Sequence, residues 1–213
     1  WDGGDLGDAG ELPSLMFSFG LPLAPRDWSG LSLAVGVCVA ESLDPAVRLK
    51  WPNDLWLADD RKLGGILVET ASVTPAQPGD VAPRYVVIGI GINITPRTLG
   101  DGGGLSNRPA ALQELVPGID APAALARVAA ALVATVQAFE RSGFAPFQAR
   151  FHARDVLQGR AVRLSDGTDG VAQGVNPHGA LRVATAQGIQ TITSSEISVR
   201  PAAPAASPAP KGN

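Results

Sequence analysis

Four polar side chains crowd one short stretch of this 213-residue chain: Lys50, Asn53, Asp54 and Lys62, all within KWPNDLWLADDRKLGGILVE at positions 50–69. The spacing wraps them around one hairpin, with an acidic turn at Asp59 and Asp60 between extended runs at 48–57 and 63–70. Two ammonium groups, a carboxylate and a carboxamide together are the makings of a site for a charged ligand. Pro52 fixes its backbone and lacks a donor, so WPND should bend at a strand edge or at the mouth of a site. Gly64 and Gly65 lie inside an apolar strand, where each costs about 0.5–1 kcal/mol against Ala. That cost is tolerated where another backbone or a ligand comes close. A surface hairpin with a solvated lysine is the plainer alternative, and spacing alone leaves both open.

A second signal is GIGIN, at positions 89–93, closing the apolar run YVVIGIGI. Alternating Gly89 and Gly91 strip side chains from one strand face and leave a floor for a flat molecule. Asn93 can donate and accept together, as adenine recognition demands. The run is not the dinucleotide fingerprint: the third glycine would fall at Ile94, and Thr95–Pro96 replaces the helix start. Glycines that merely let a helix pack on the strand are the competing explanation.

The elements that must position these groups follow from periodicity. Residues 15–23 form a buried strand. A helix runs from a Ser29 cap to about Leu43, with Leu31, Ala34, Val35, Cys38 and Ser42 on one face. The run at 85–92 is a central strand, and 93–110 is a Gly-rich polar loop. Asp120 caps a long helix carrying Leu125, Val128, Leu132, Val136 and Phe139, ended by Gly143. A short helix covers 146–154. From Gly159 short alternating runs, broken by SDG, NPHG and AQG, make a small all-β unit ending near Arg200. The Pro/Ala tail at 201–213 is disordered.

Composition narrows the classes. Apolar residues are 45% and charged residues 17%, with a net charge of −3, so no basic face marks a nucleic-acid partner. No stretch approaches the roughly 18–20 apolar residues of a membrane span. The single Cys38 lies in the apolar run 33–40, which suits a reducing cytoplasmic compartment and makes a poor nucleophile. GLSLA at 30–34 imitates a hydrolase elbow, but alanine replaces the second glycine. With only His152 and His178, neither a hydrolase triad nor a zinc site is supported.

KWPNDL, RKLGGILVE and VVIGIGINI, in this order and spacing, resemble the biotin–protein ligase family, and the resemblance covers the whole chain except its tail. The segment 159–200 is similar to that family's C-terminal barrel, with Ser195–Glu196 where a Gly–Glu pair is usual. The resemblance implies an α+β fold: a mixed β-sheet with flanking helices of the class II synthetase/biotin ligase type in residues 1–154, then a small SH3-like β-barrel in 155–200. It also implies a two-step reaction with ATP and biotin as substrates and Mg²⁺ as cofactor. Biotinyl-5′-adenylate forms first; a lysine of a biotin carboxyl carrier protein, the acetyl-CoA carboxylase subunit, then takes the biotinyl group.

By resemblance Lys62 is the catalytic lysine between biotin carboxylate and α-phosphate. Lys50, Asn53 and Asp54 stand by the triphosphate, and Asp54 is the candidate Mg²⁺ contact. Gly64, Gly65, Leu67, Gly89 and Gly91 line the biotin and adenylate groove, Asn93 meets the adenine, and Trp1 stacks on the adenylate. The loop at 93–110 corresponds to the segment that orders over the adenylate. The family's Gly-Arg-rich biotin loop would precede Trp1, so the expectation is an N-terminally truncated catalytic domain with weak or no activity. No nucleic acid or membrane partner is expected, and a homodimer is left open. The rival readings are a non-catalytic biotin-sensing module, a fragment of a biotin-operon repressor, and a lipoate or octanoate ligase of shared architecture.

Overall fold

The computed structural model describes residues 13–72, 84–96, 109–193 and 199–201. Its first sheet is built from β1 (Ser14–Leu23), β2 (Arg48–Lys50), β3 (Asp54–Trp56), β4 (Lys62–Ser72) and β5 (Arg84–Asn93), in the order β1-β5-β4-β3-β2. Every pairing within it is antiparallel. Consecutive strands from β2 to β5 are direct neighbours, which only antiparallel pairing permits without crossovers. Among the described residues, the parallel component expected of a mixed sheet is confined to an isolated bridge between Leu49 and Asp155. The expected single strand at 48–57 is two, because the chain reverses at Trp51–Asn53 and pairs β2 antiparallel with β3.

Helix α1 (Leu31–Leu43) is apolar on nearly every side and is correspondingly buried on nearly every side. Its N-cap is Gly30, not Ser29; the Ser29 amide is held by Asp27 Oδ1 at 2.8 Å. Gly30 has φ +80, and a Cβ there would come 2.7 Å from the Phe144 ring, so no side chain fits. Helix α2 (Ala121–Ser142) begins as the sequence indicates, with Asp120 Oδ1 accepting from the Ala123 amide at 2.8 Å. It is long and apolar enough, by length and composition, to cross a membrane, contrary to the expectation from the sequence. Alanines supply that apolarity. Its stripe of Val128, Leu132, Val136 and Phe139 is buried against the rest of the core. The short α3 (Gln148–His152) completes the helical layer.

The second sheet comprises β6 (Ala161–Leu164), β7 (Asp169–Val175), β8 (Leu181–Thr185), β9 (Gly188–Ile192) and β10 (Val199–Pro201), ordered β10-β6-β7-β8-β9. It is the expected small SH3-like unit. Gly167, Gly179 and Gly188 take positive φ in the SDG, NPHG and AQG turns that divide its strands. The unit is stitched to the first sheet. The Trp51 indole donates to the Gly179 carbonyl at 3.0 Å, and Arg160 grips Asp60 through two bonds of 2.6 and 2.7 Å.

Candidate active site

The two faces of the first sheet differ in kind. Leu15, Ile90, Ile66 and Leu55 point to the side covered by α1 and α2. On the other side the register lines up Met16, Gly91, Gly65 and Asp54 in one row across four strands, and Ser18, Gly89 and Leu67 in the next. Three of those seven positions are glycine, so the open face sinks into a groove of about 530 Å³. Lys62 and Asn53 close one end; Met16 and Leu67, 60% and 58% exposed, rim it with apolar surface. The glycines of GIGIN do not serve helix packing, because the helices lie on the opposite face.

Lys62 reaches this face through a register shift. Asp54 and Leu55 pair with Gly65 and Gly64, but Trp56 pairs with Lys62, which leaves Leu63 as an extra residue on β4. In an unbroken strand Lys62 would point to the same side as Gly64, toward the core. The bulge turns it over and buries Leu63 instead. Its ammonium lies 2.6 Å from Asp54 Oδ1 and 3.4 Å from where a Gly65 Cβ would sit. A Cβ at Gly65 would stand in ordinary contact with that ammonium, and only a larger side chain would crowd it. The Lys62 backbone is fixed from both sides: its carbonyl accepts from Ala110 N at 2.9 Å, and the adjacent Arg61 makes a two-pronged contact with Glu114.

The remaining expected residues divide. Asp54 lies between two cations, with Lys50 Nζ 3.8 Å from its second oxygen. Asn53 lines the groove, yet its Nδ2 donates to the Ile66 carbonyl at 2.8 Å and its own carbonyl accepts from Ile66 N, so it also clamps the turn onto β4. Gly65, Leu67, Gly89 and Gly91 line the cavity. Gly64 does not: it belongs to the core-side row, and a Cβ there would fall 2.2 Å from the Gly91 carbonyl oxygen, so its role is close strand approach at the bulge. Asn93 sits beyond the groove lining and donates to the Ala110 carbonyl at 3.0 Å, tying down the segment that also holds Lys62. Trp1, most of the 93–110 loop, Ser195–Glu196 and the tail beyond Pro201, which itself ends β10, lie outside the described residues.

Met16 and Ser18 also line the groove and were not singled out from the sequence; only the long-range pairing of β1 with β5 brings them there. The other candidates fall away on geometry. Ser32 of GLSLA is inside α1 and donates to the Pro52 carbonyl. Cys38 is buried, and burial pushes its thiol up in pKa, away from nucleophilic use. Among the described residues no cluster of three metal-ligating side chains exists.

Residues 158–200 match the family model described as the biotin protein ligase C terminal domain. Over 189 residues the chain is 37% identical to the bifunctional ligase/repressor BirA of Escherichia coli, covering 85% of this chain and 56% of that protein. Along most of its length, then, the chain is similar to biotin protein ligases. A second family member, the biotin–[acetyl-CoA-carboxylase] ligase of Mycobacterium tuberculosis, is 41% identical over 75 residues, which is 32% of this chain and 24% of that one. The biotin protein ligase of Aquifex aeolicus, solved in complex with biotin and ATP, superposes with a TM-score of 0.71 at 26% identity, over 90% of this chain and 80% of that one. The chain spans little more than half the length of the curated ligase/repressors it matches.

Proposed function

We propose that this chain carries the adenylation groove of a cytoplasmic, ATP-dependent biotin–protein ligase. One observation supports the reading above the others. In a chain similar to this family, two lysine ammoniums converge on one carboxylate at the end of a glycine-floored groove. In the first step a biotin carboxylate oxygen attacks the α-phosphorus of ATP; a P–O bond forms, the bond to pyrophosphate breaks, and biotinyl-5′-adenylate remains. The obstacle is an anion approaching a polyanion, so fixed cations must stand where the charges meet. Lys62 has the freedom of a compact point charge to follow oxygens that rearrange, and Asp54 holds it on station meanwhile. In the second step a lysine amine of a biotin carboxyl carrier protein attacks the acyl carbon, and AMP departs.

Mg²⁺ fits this donor set through Asp54, with phosphate oxygens and water completing the shell, since the described residues hold no group of three metal-ligating side chains. There it would neutralise polyphosphate charge. Gly65, Gly89 and Gly91 keep side chains off the floor, and Leu67 and Met16 give biotin an apolar wall. Adenine recognition by Asn93 remains part of the reading; it requires Asn93 to exchange its bond to Ala110 or to use its oxygen. The test is formation of biotinyl-adenylate from α-labelled ATP by the natural protein carrying this sequence, run against lipoate. Label captured with lipoate and not with biotin would sink the assignment.

A further inference from the structure

Beside the Asp54 carboxylate stands a side chain that neither the groove lining nor the family motifs assign. Trp56 follows Asp54 by two positions on β3, so both project to the open face, with Lys50 across from Asp54 on β2 and Lys62 across from Trp56 on β4. The four form a diamond: two ammoniums at the sides, a carboxylate and an indole at the ends. Lys50 Nζ stands 4.7 Å from the centroid of the Trp56 ring, within cation–π range, and 3.8 Å from Asp54. Asp54 makes its short contact, 2.6 Å, to Lys62 instead. The indole Nε1 is buried without a hydrogen-bond partner. Trp56 is therefore retained at that spot despite its N–H, and what it offers Lys50 is its face.

We propose that Trp56 is a positioning residue: its ring holds the Lys50 ammonium at the groove end, so that Lys50 and Lys62 present a preset pair of cations to the polyphosphate of a nucleotide. The inference rests on the adenylation reading and extends it. A lysine has four freely turning side-chain bonds, and two like charges about one carboxylate repel each other. The negative ring face offsets that repulsion and narrows the search of the chain. Removing the ring therefore lowers nucleotide affinity through Lys50, not through the fold.

The unpartnered N–H makes Trp56→Phe a clean probe, since it keeps a π face and deletes a donor that bonds to nothing. Trp56→Leu keeps apolar bulk and deletes the face. ATP titrated calorimetrically into the 213-residue chain at low salt is expected to bind Trp56→Leu about two- to fivefold more weakly, and Trp56→Phe within about twofold of the parent. In a Lys50→Ala background the two variants are expected to bind alike. Equal affinities of the Leu and Phe variants with Lys50 present, or a Leu-specific loss that persists without Lys50, would overturn the proposal. A second readout needs no variant. In the unliganded chain the Lys50 ε-methylene protons should resonate upfield of those of Lys62 through the ring current, and coincident shifts would also overturn it. A parent chain that binds no ATP sinks the nucleotide reading, and the ring-current shift then decides the Lys50–Trp56 pairing by itself.

Discussion

The same five strands present two opposite surfaces, and alternate residues of one sequence decide between them. Along β5, Ile88, Ile90 and Ile92 are fully packed beneath the helices, while Gly89 and Gly91, interleaved with them, leave the groove floor bare. One face is built from volume and the other from its omission. A core face loses stability when atoms are taken away. A groove face loses function when atoms are added, and it can carry cations because water and ligand reach them.

The heaviest blow to this contrast should come from the core side. Ile88→Ala, at a position with no exposure, is expected to destabilise the fold by about 2–5 kcal/mol in denaturant unfolding. A loss below about 1 kcal/mol would mean the helical layer is not packed as described. Next, Lys62→Ala on the groove side should leave stability within about 1 kcal/mol of the parent, because the exposed ammonium packs little. It should nevertheless cut adenylate formation by on the order of 10²-fold in the natural protein. Wild-type turnover would remove Lys62 from the chemistry.

A buried carboxylate at the β2 edge sharpens the core rule by violating it. Asp155 accepts from Leu157 N through one oxygen, and its other oxygen has no partner. Burial pushes its pKa up to about 6. Between the unfolded value near 3.9 and that folded value the native state holds the proton more tightly, so this group's contribution falls as pH rises through the window. Above pH 6 its ionisation weakens the fold by about 3 kcal/mol. Asp155→Asn cannot ionise, and the stability of the parent relative to this variant should therefore decline from pH 4 to pH 7; parallel curves would show that the group is solvated. The smallest effect on folding should come from Gly65→Val, which fills groove space beside Lys62. Biotin affinity should drop about tenfold or more while the melting transition stays cooperative, and unchanged affinity would move the ligand elsewhere.

Several of these features could be read from the letters because they are local. Asp120 and Gly143 bound α2 through contacts a few residues apart, Pro52 announced a bend, and GIGIN announced a strip without side chains. What was misread depended on distant partners. Ser29 is a good capping residue in isolation, but Phe144 and the Gly179 turn crowd the helix start and require glycine at position 30. Gly64 and Gly65 look equivalent in sequence; the bulge at Leu63 sends one against the Gly91 backbone and leaves the other open to the groove. Met16, Ser18 and Trp56 carried no signal of their own, since an ordinary β-strand alternation gives no hint of what lies in the neighbouring strand.

The amino-acid sequence by itself determined the order of elements and the set of polar groups available for chemistry, because motif residues and turn formers act over a few positions of chain. Only the tertiary structure decided which face those groups occupy. Facing is set by strand register and by a one-residue bulge, and both are fixed by pairing between segments far apart in the chain.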